Sequence, residues 1–85
     1  MEPANQLEAV LEAFARVGIE VRQECLGGDG GSLCRLRGRR VLFVDLDADI
    51  ATRLDHAIAA LADVAEAASF YLPPEIRERI GRASM

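Results

Sequence analysis

The sequence predicts an α+β fold: a two-layer domain with a three-stranded antiparallel meander covered by two amphipathic helices, plus a short C-terminal helix (α-β-β-β-α-α). Apolar residues recur at helical spacing in two segments, and the period changes to two between them. The connections in that middle region are too short to join successive parallel strands. The 85 residues, 51% of them hydrophobic, are expected to form one domain over 1–85.

The first helix is predicted over residues 5–17. Asn5 and Glu8 have the spacing of a capping box, and Gly18 follows the last periodic residue, where a left-handed conformation commonly ends a helix. The apolar face of this helix comprises Leu7, Val10, Leu11, Phe14 and Val17.

Three strands are predicted next. "IEVRQECL" (19–26) alternates with a period of two, and "GGDGG" (27–31) is expected to turn into "SLCRLR" (32–37) as a hairpin. "GRR" (38–40) forms a tighter turn. "VLFVD" (41–45) is apolar on both faces and is therefore predicted to be the central strand.

The helical period returns after Asp49, and Pro74 is typical of the first residue of the short final helix. In that final helix, Glu75/Arg79 and Glu78/Arg82 are spaced to form ion pairs. The second helix presents an apolar stripe made of Ile50, Leu54, Ala57, Ile58, Leu61, Val64, Ala65 and Ala68.

The run of alternating aspartates after the central strand has two interpretations. "VLFVDLD" resembles the first motif of haloacid-dehalogenase-like phosphatases, a resemblance that implies a nucleophile at Asp45 and a proton donor at Asp47. Too few residues follow for the later motifs of that family. We favour structural roles: Asp45 carries its charge out of the core at the strand end, and Asp47 and Asp49 cap the next helix.

A metal or ligand site is the alternative function that the side chains suggest. If 19–26 and 32–37 form a hairpin, Cys25 and Cys34 lie opposite each other, as half of a metal site or as a disulfide, and Asp45 could join them. His56 is a further candidate, and it is expected at or beyond the edge of the apolar stripe of the second helix. We favour buried, reduced cysteines and an exposed histidine, with no cofactor.

The sequence contains a basic cluster of four arginines: Arg35, Arg37, Arg39 and Arg40. Arg22 on the preceding strand is expected to approach them. We predict that Glu20 and Glu24 neutralise the cluster across the outer sheet face, and contact with an anion is the alternative.

The order helix, "VGIEVR", hairpin, "RRVLFVD", helix is similar to the front half of ImmA/IrrE-type zinc metallopeptidase domains. That resemblance implies a shared frame only. The helix that carries His-Glu-x-x-His in the family reads "TRLDHAIAALADV" here, with Ala57 after His56 and Ala60 four positions on. The ending "YLPPEIRERI" is similar to those of short bacterial proteins.

The composition limits the classes of partner. A net charge of −4 makes nucleic acid an unlikely ligand, and no basic leader or long apolar run indicates a secretory signal or a membrane span. We therefore expect a non-enzymatic, cytoplasmic domain that works by protein–protein contact, as a homodimer or as an accessory to a larger assembly.

Overall fold

The computed structural model describes residues 2–29, 31–64 and 72–83. None of the helices in these ranges combines the length and the apolar character that a membrane crossing requires. The helices and strands of the described residues are, in chain order, α1 (Pro3–Arg16), β1 (Glu20–Glu24), β2 (Gly31–Leu36), β3 (Arg39–Asp45), α2 (Ile50–Ala62) and α3 (Pro74–Ala83).

The sheet is mixed, with the strand order β1-β3-β2. β3 pairs parallel with β1, so that Val21 is level with Leu42, and antiparallel with β2, where Leu33 faces the same Leu42. The predicted antiparallel meander is therefore wrong, although the prediction that residues 41–45 belong to the central strand is confirmed. A short connection forces two consecutive strands to be antiparallel only if they pair with each other. β1 and β2 are consecutive but do not pair.

The hairpin between β2 and β3 explains this topology. Arg37 and Gly38 both have positive φ angles, 51° and 80°, as a two-residue type I′ turn requires. Because this tight turn joins them directly, β2 and β3 pair with each other. In the preceding segment, residues 25–29 cross the end of β3 on the way from one sheet edge to the other.

Two layers surround one core, which confirms that part of the predicted architecture. Alternate residues of β3, Leu42 and Val44, face the helices and are 2% exposed. α1 and α2 pack on this face of the sheet and on each other. The largest completely buried apolar side chains are Phe14, Leu42, Leu61, Ile76 and Val10.

The ends of α1 follow the sequence signals only in part. The helix begins at Pro3, and Glu2 occupies the N-cap without a side-chain hydrogen bond, so the predicted capping box at Asn5 and Glu8 is wrong. Gly18 has a φ angle of 78° after the helix end, which confirms its left-handed role.

α2 buries most of its predicted stripe, but Ile50 at its first turn is 40% exposed. Ala65 and Ala68 lie outside the described residues. α3 begins at Pro74 as predicted, and Arg82 pairs with Glu78 at 3.4 Å. Arg79 instead reaches across the helix interface and bonds with Asp55 of α2.

Candidate interaction surface

Asp45 lies where residues 25–29, the crossing segment, pass the end of β3, and it is 0% exposed. Its carboxylate accepts backbone N–H bonds from Leu26 at 2.9 Å and from Gly28 at 2.6 Å, both on the crossing segment. A third N–H, from Asp47, donates at 2.9 Å. The prediction that the Asp45 charge leaves the core is wrong, because backbone donors rather than water balance the charge.

The next two aspartates also bond with the backbone. Asp49 occupies the N-cap of α2 and accepts the Thr52 N–H at 2.7 Å, which confirms its predicted capping role. That bond lowers the pKa of the Asp49 carboxyl. Asp47 does not cap α2 but accepts the Gly27 N–H at 3.0 Å. Asp45 and Asp47 therefore hold the crossing segment at the end of β3 by hydrogen bonds, and Asp49 caps the start of α2.

The geometry around Asp45 bears on the resemblance to phosphatase nucleophiles. A carboxylate that attacks phosphorus needs an open path to its substrate. Both Asp45 oxygens accept backbone bonds, and the side chain has no exposed surface. This arrangement favours a structural role.

The two cysteines lie on opposite sides of the central strand β3. Cys25 follows β1 and is exposed, whereas Cys34 in β2 is half-buried, pairs with Val41, and has its sulfur 3.3 Å from the Ser32 hydroxyl. Because β3 separates β1 from β2, the expected cross-strand opposition of the cysteines is wrong. The expectation that both are buried is wrong as well, and both are free thiols.

The Cys25 thiol lies beside Asp47, whose negative charge raises the pKa of the thiol, with a further contribution from desolvation. Since the thiolate is the nucleophile, this carboxylate slows reaction with electrophiles. In a Cys34→Ser background, Asp47→Asn should therefore increase several-fold the rate at which iodoacetamide alkylates Cys25 at pH 8, measured by mass spectrometry. Asp29→Asn removes another exposed carboxylate of the same segment and should leave the rate unchanged. Equal rates in all three proteins would contradict this assignment.

The candidate metal ligands are Cys25, Cys34, Asp45 and His56. Asp45 is occupied by backbone donors, and His56 is exposed on α2 with Nδ1 3.2 Å from the Gly31 carbonyl oxygen. Within the described ranges, no group of three or more histidine, cysteine or acidic side chains is arranged to hold a metal ion.

His56 lies beside an open groove of about 350 Å³ between β2 and α2, which we call the edge groove. Leu33 and Ala60 provide its apolar surface. Ala59 is exposed on the α2 side, and Asp63 lies at the margin together with His56. The groove therefore offers an apolar surface bordered by polar side chains, directly beside a sheet edge.

β2 forms one edge of the sheet. In a hairpin closed by a two-residue turn, Leu36 and Arg39 exchange backbone bonds, and bonded pairs then alternate along the strands. Leu33 and Arg35 fall at the positions between, so their N–H and C=O groups point to the open edge. No other described residue bonds with these outward groups. Along one side of the edge groove, therefore, lie main-chain donors and acceptors that no described residue pairs.

The arginines lie at one end of this edge. Arg35 is directly opposite Arg40, on the face that carries Leu42 and Val44. Arg37 occupies the turn, and Arg39 begins β3. We call Arg35, Arg37, Arg39 and Arg40 the arginine hairpin. Arg35, Arg37 and Arg39 are exposed, so this end of the hairpin presents positive charge at the surface.

The predicted neutralisation of the arginine hairpin across the outer face is wrong. Arg22 is level with Phe43, on the opposite sheet face from Arg35, and its guanidinium bonds with Glu20 at 2.6 Å. No described residue forms a hydrogen bond or ion pair with the side chains of Arg35, Arg37 or Arg39. Their positive charges therefore face solvent.

Comparisons of the chain with protein families, curated proteins and solved structures found no match. Sequence reasoning identified the arginines but missed the edge groove. The groove depends on β3 entering between β1 and β2, which leaves β2 as an edge beside α2. The available signal was "RG" at residues 37–38, a dipeptide whose glycine suits a tight turn.

Proposed function

We propose that the chain is a non-catalytic, cytoplasmic protein-binding module whose β2 edge and edge groove receive an extended segment of a partner protein. The observation that carries this proposal is that no described residue pairs with the edge groups of Leu33 and Arg35 beside the groove. Exposed edges form further strand pairs readily because their main-chain groups bond with any extended chain. A groove beside the edge adds selectivity through side-chain contacts.

The chemistry of the other candidates supports binding rather than catalysis. Asp45 is surrounded by backbone donors, and the charge of Asp47 keeps the Cys25 thiol less reactive. His56 bonds with the Gly31 carbonyl at the edge groove and lies 3.2 Å from it. These contacts support structural uses of the aspartates and a place for His56 at the binding surface.

A substitution that fills the edge groove tests the proposal. Ala59 is exposed and borders the groove, so Ala59→Tyr should obstruct a bound segment without entering the core. Ala51 is an exposed alanine of the same helix outside the groove, and Ala51→Tyr is the matched control. We expect affinity capture from the source cells to retain a partner with the wild-type chain and Ala51→Tyr but not with Ala59→Tyr. Thermal unfolding should show that all three proteins fold equally well.

The captured partner must then bind the purified chain directly, with at least a tenfold weaker Kd for Ala59→Tyr, a loss of about 1.4 kcal/mol. Capture of the same proteins by Ala59→Tyr, or of none by any form, would contradict the proposal. The homodimer expected from the sequence is a competing outcome. A dimer mass at micromolar concentration, reverting to a monomer in Ala59→Tyr, would assign the edge groove to a second copy.

A further inference from the structure

We infer that the segment bound at the β2 edge is acidic, and that it adds as a fourth strand with its carboxylates against the arginine hairpin. This inference rests on the proposed function and specifies the partner. It joins two features of the structure: unpaired main-chain groups at Leu33 and Arg35, and three neighbouring arginines without an anionic partner in the described chain.

Strand spacing brings these two features together. A strand added to β2 would lie about 4.8 Å away, and its alternate side chains would face the helices. One such side chain would cover Leu33 in the edge groove. The next on the same face would be level with Arg35, where paired Cβ atoms are about 5 Å apart. An apolar residue followed two positions later by an acidic residue therefore fits the edge.

The charge distribution favours carboxylates at this end. Arg35 and Arg40 are directly opposite each other, and Arg37 and Arg39 occupy the adjoining turn. A carboxylate close to Arg35 would form a charge-assisted hydrogen bond with its guanidinium group. At the groove, Asp55 is already paired with Arg79, whereas Asp63 adds a negative charge at the margin, so the acidic residue belongs beside Arg35 and the apolar one over Leu33.

Single-stranded nucleic acid is a second class of anionic partner that binds to arginine clusters. Its recognition uses aromatic side chains on which bases stack, and residues 35–40 contain none. The chain also has a net charge of −4, which repels a long polyanion outside the hairpin. A short acidic peptide strand meets the local positive charge and also satisfies the edge main-chain groups.

Two-dimensional ¹⁵N NMR with defined peptides tests the inference. The probe is a capped octapeptide of the repeat Val-Ser-Glu-Ser, called the Val-Glu peptide, in which valine and glutamate follow each other on one face of a strand. Matched probes replace glutamate with lysine, or methylate every second backbone nitrogen to remove the edge bonds and keep the charge. We expect the Val-Glu peptide to shift the Leu33 and Arg35 amide signals and to bind at least about tenfold tighter than either matched peptide.

Two charge reversals complete the test. Arg35→Glu should weaken Val-Glu binding about tenfold, whereas Arg77→Glu changes an exposed arginine of α3 and should leave it unchanged. Equal binding of the methylated peptide would overturn strand addition, and equal binding of the lysine peptide would overturn acid selectivity. Binding of an eight-nucleotide oligothymidylate in place of the peptide would assign the hairpin to nucleic acid.

If no peptide shifts the Leu33 and Arg35 signals, the inference is overturned. The proposed function is decided separately, because partner capture by the Ala51→Tyr and Ala59→Tyr proteins does not depend on the charge of the segment.

Discussion

Asp45→Ala should destabilise the domain by about 3–5 kcal/mol, because it removes the acceptor for three backbone N–H groups at a site without exposed surface. Domains of this length have a total stability of roughly 4–13 kcal/mol, so the variant is expected to be largely unfolded under mild conditions. Urea unfolding followed by circular dichroism measures the loss as a lower midpoint with a comparable slope.

Two further variants distinguish the stability that the buried Asp45 carboxylate contributes from the general effect of a substitution in this segment. Asp45→Asn keeps one acceptor oxygen and should lose roughly half as much stability. Asp47→Ala removes a more exposed acceptor of the single Gly27 N–H and should cost about 1 kcal/mol or less. A loss in Asp45→Ala no larger than that in Asp47→Ala would mean that the Asp45 bonds do not hold the crossing segment.

The role of Asp45 shows where sequence reasoning reached its limit. An aspartate at the end of an apolar strand ordinarily marks the point at which the chain meets water. Here residues 25–29 pass over that strand end and supply the N–H groups of Leu26 and Gly28, which precede Asp45 by 19 and 17 positions. No local period encodes that crossing.

The elements themselves could be predicted because their signals are local. Helical periodicity identified α1 and α2, the position of Pro74 identified the start of α3, and apolar residues on both faces identified β3 as central. Strand partners were mispredicted because "GGDGG" and "RG" both permit a turn, and only the second joins paired strands.

The same error affected the candidate site. With β1 and β2 as neighbours, Cys25 would face Cys34, and Glu20 and Glu24 would neutralise the arginines. With β3 between them, the cysteines separate and Arg35 lies on the other sheet face from Glu20. The strand that pairs with β2 therefore determines whether the two thiols lie together or whether Arg35, Arg37 and Arg39 face solvent.

Gly31→Ala should destabilise the domain by about 3 kcal/mol or more. The φ angle of Gly31 is 97°, a conformation that residues with a side chain rarely adopt. A Cβ atom at this position would lie 1.9 Å from the carbonyl oxygen of Phe43 and 2.8 Å from its carbonyl carbon. These are backbone atoms of the central strand, so relief of the clash requires β2 to move away from β3. Thermal and urea unfolding measure the loss.

Gly18→Ala is the matched control, because Gly18 also has a positive φ angle, 78°, but a Cβ atom there would meet nothing within 4 Å. It should cost only about 1–2 kcal/mol, the conformational part of the effect. The difference between the variants isolates the close approach of β2 to β3. Equal losses would mean that β2 can begin farther from Phe43 without harm. In that case the edge groove, which Gly31 borders together with His56, would not depend on this contact for its shape.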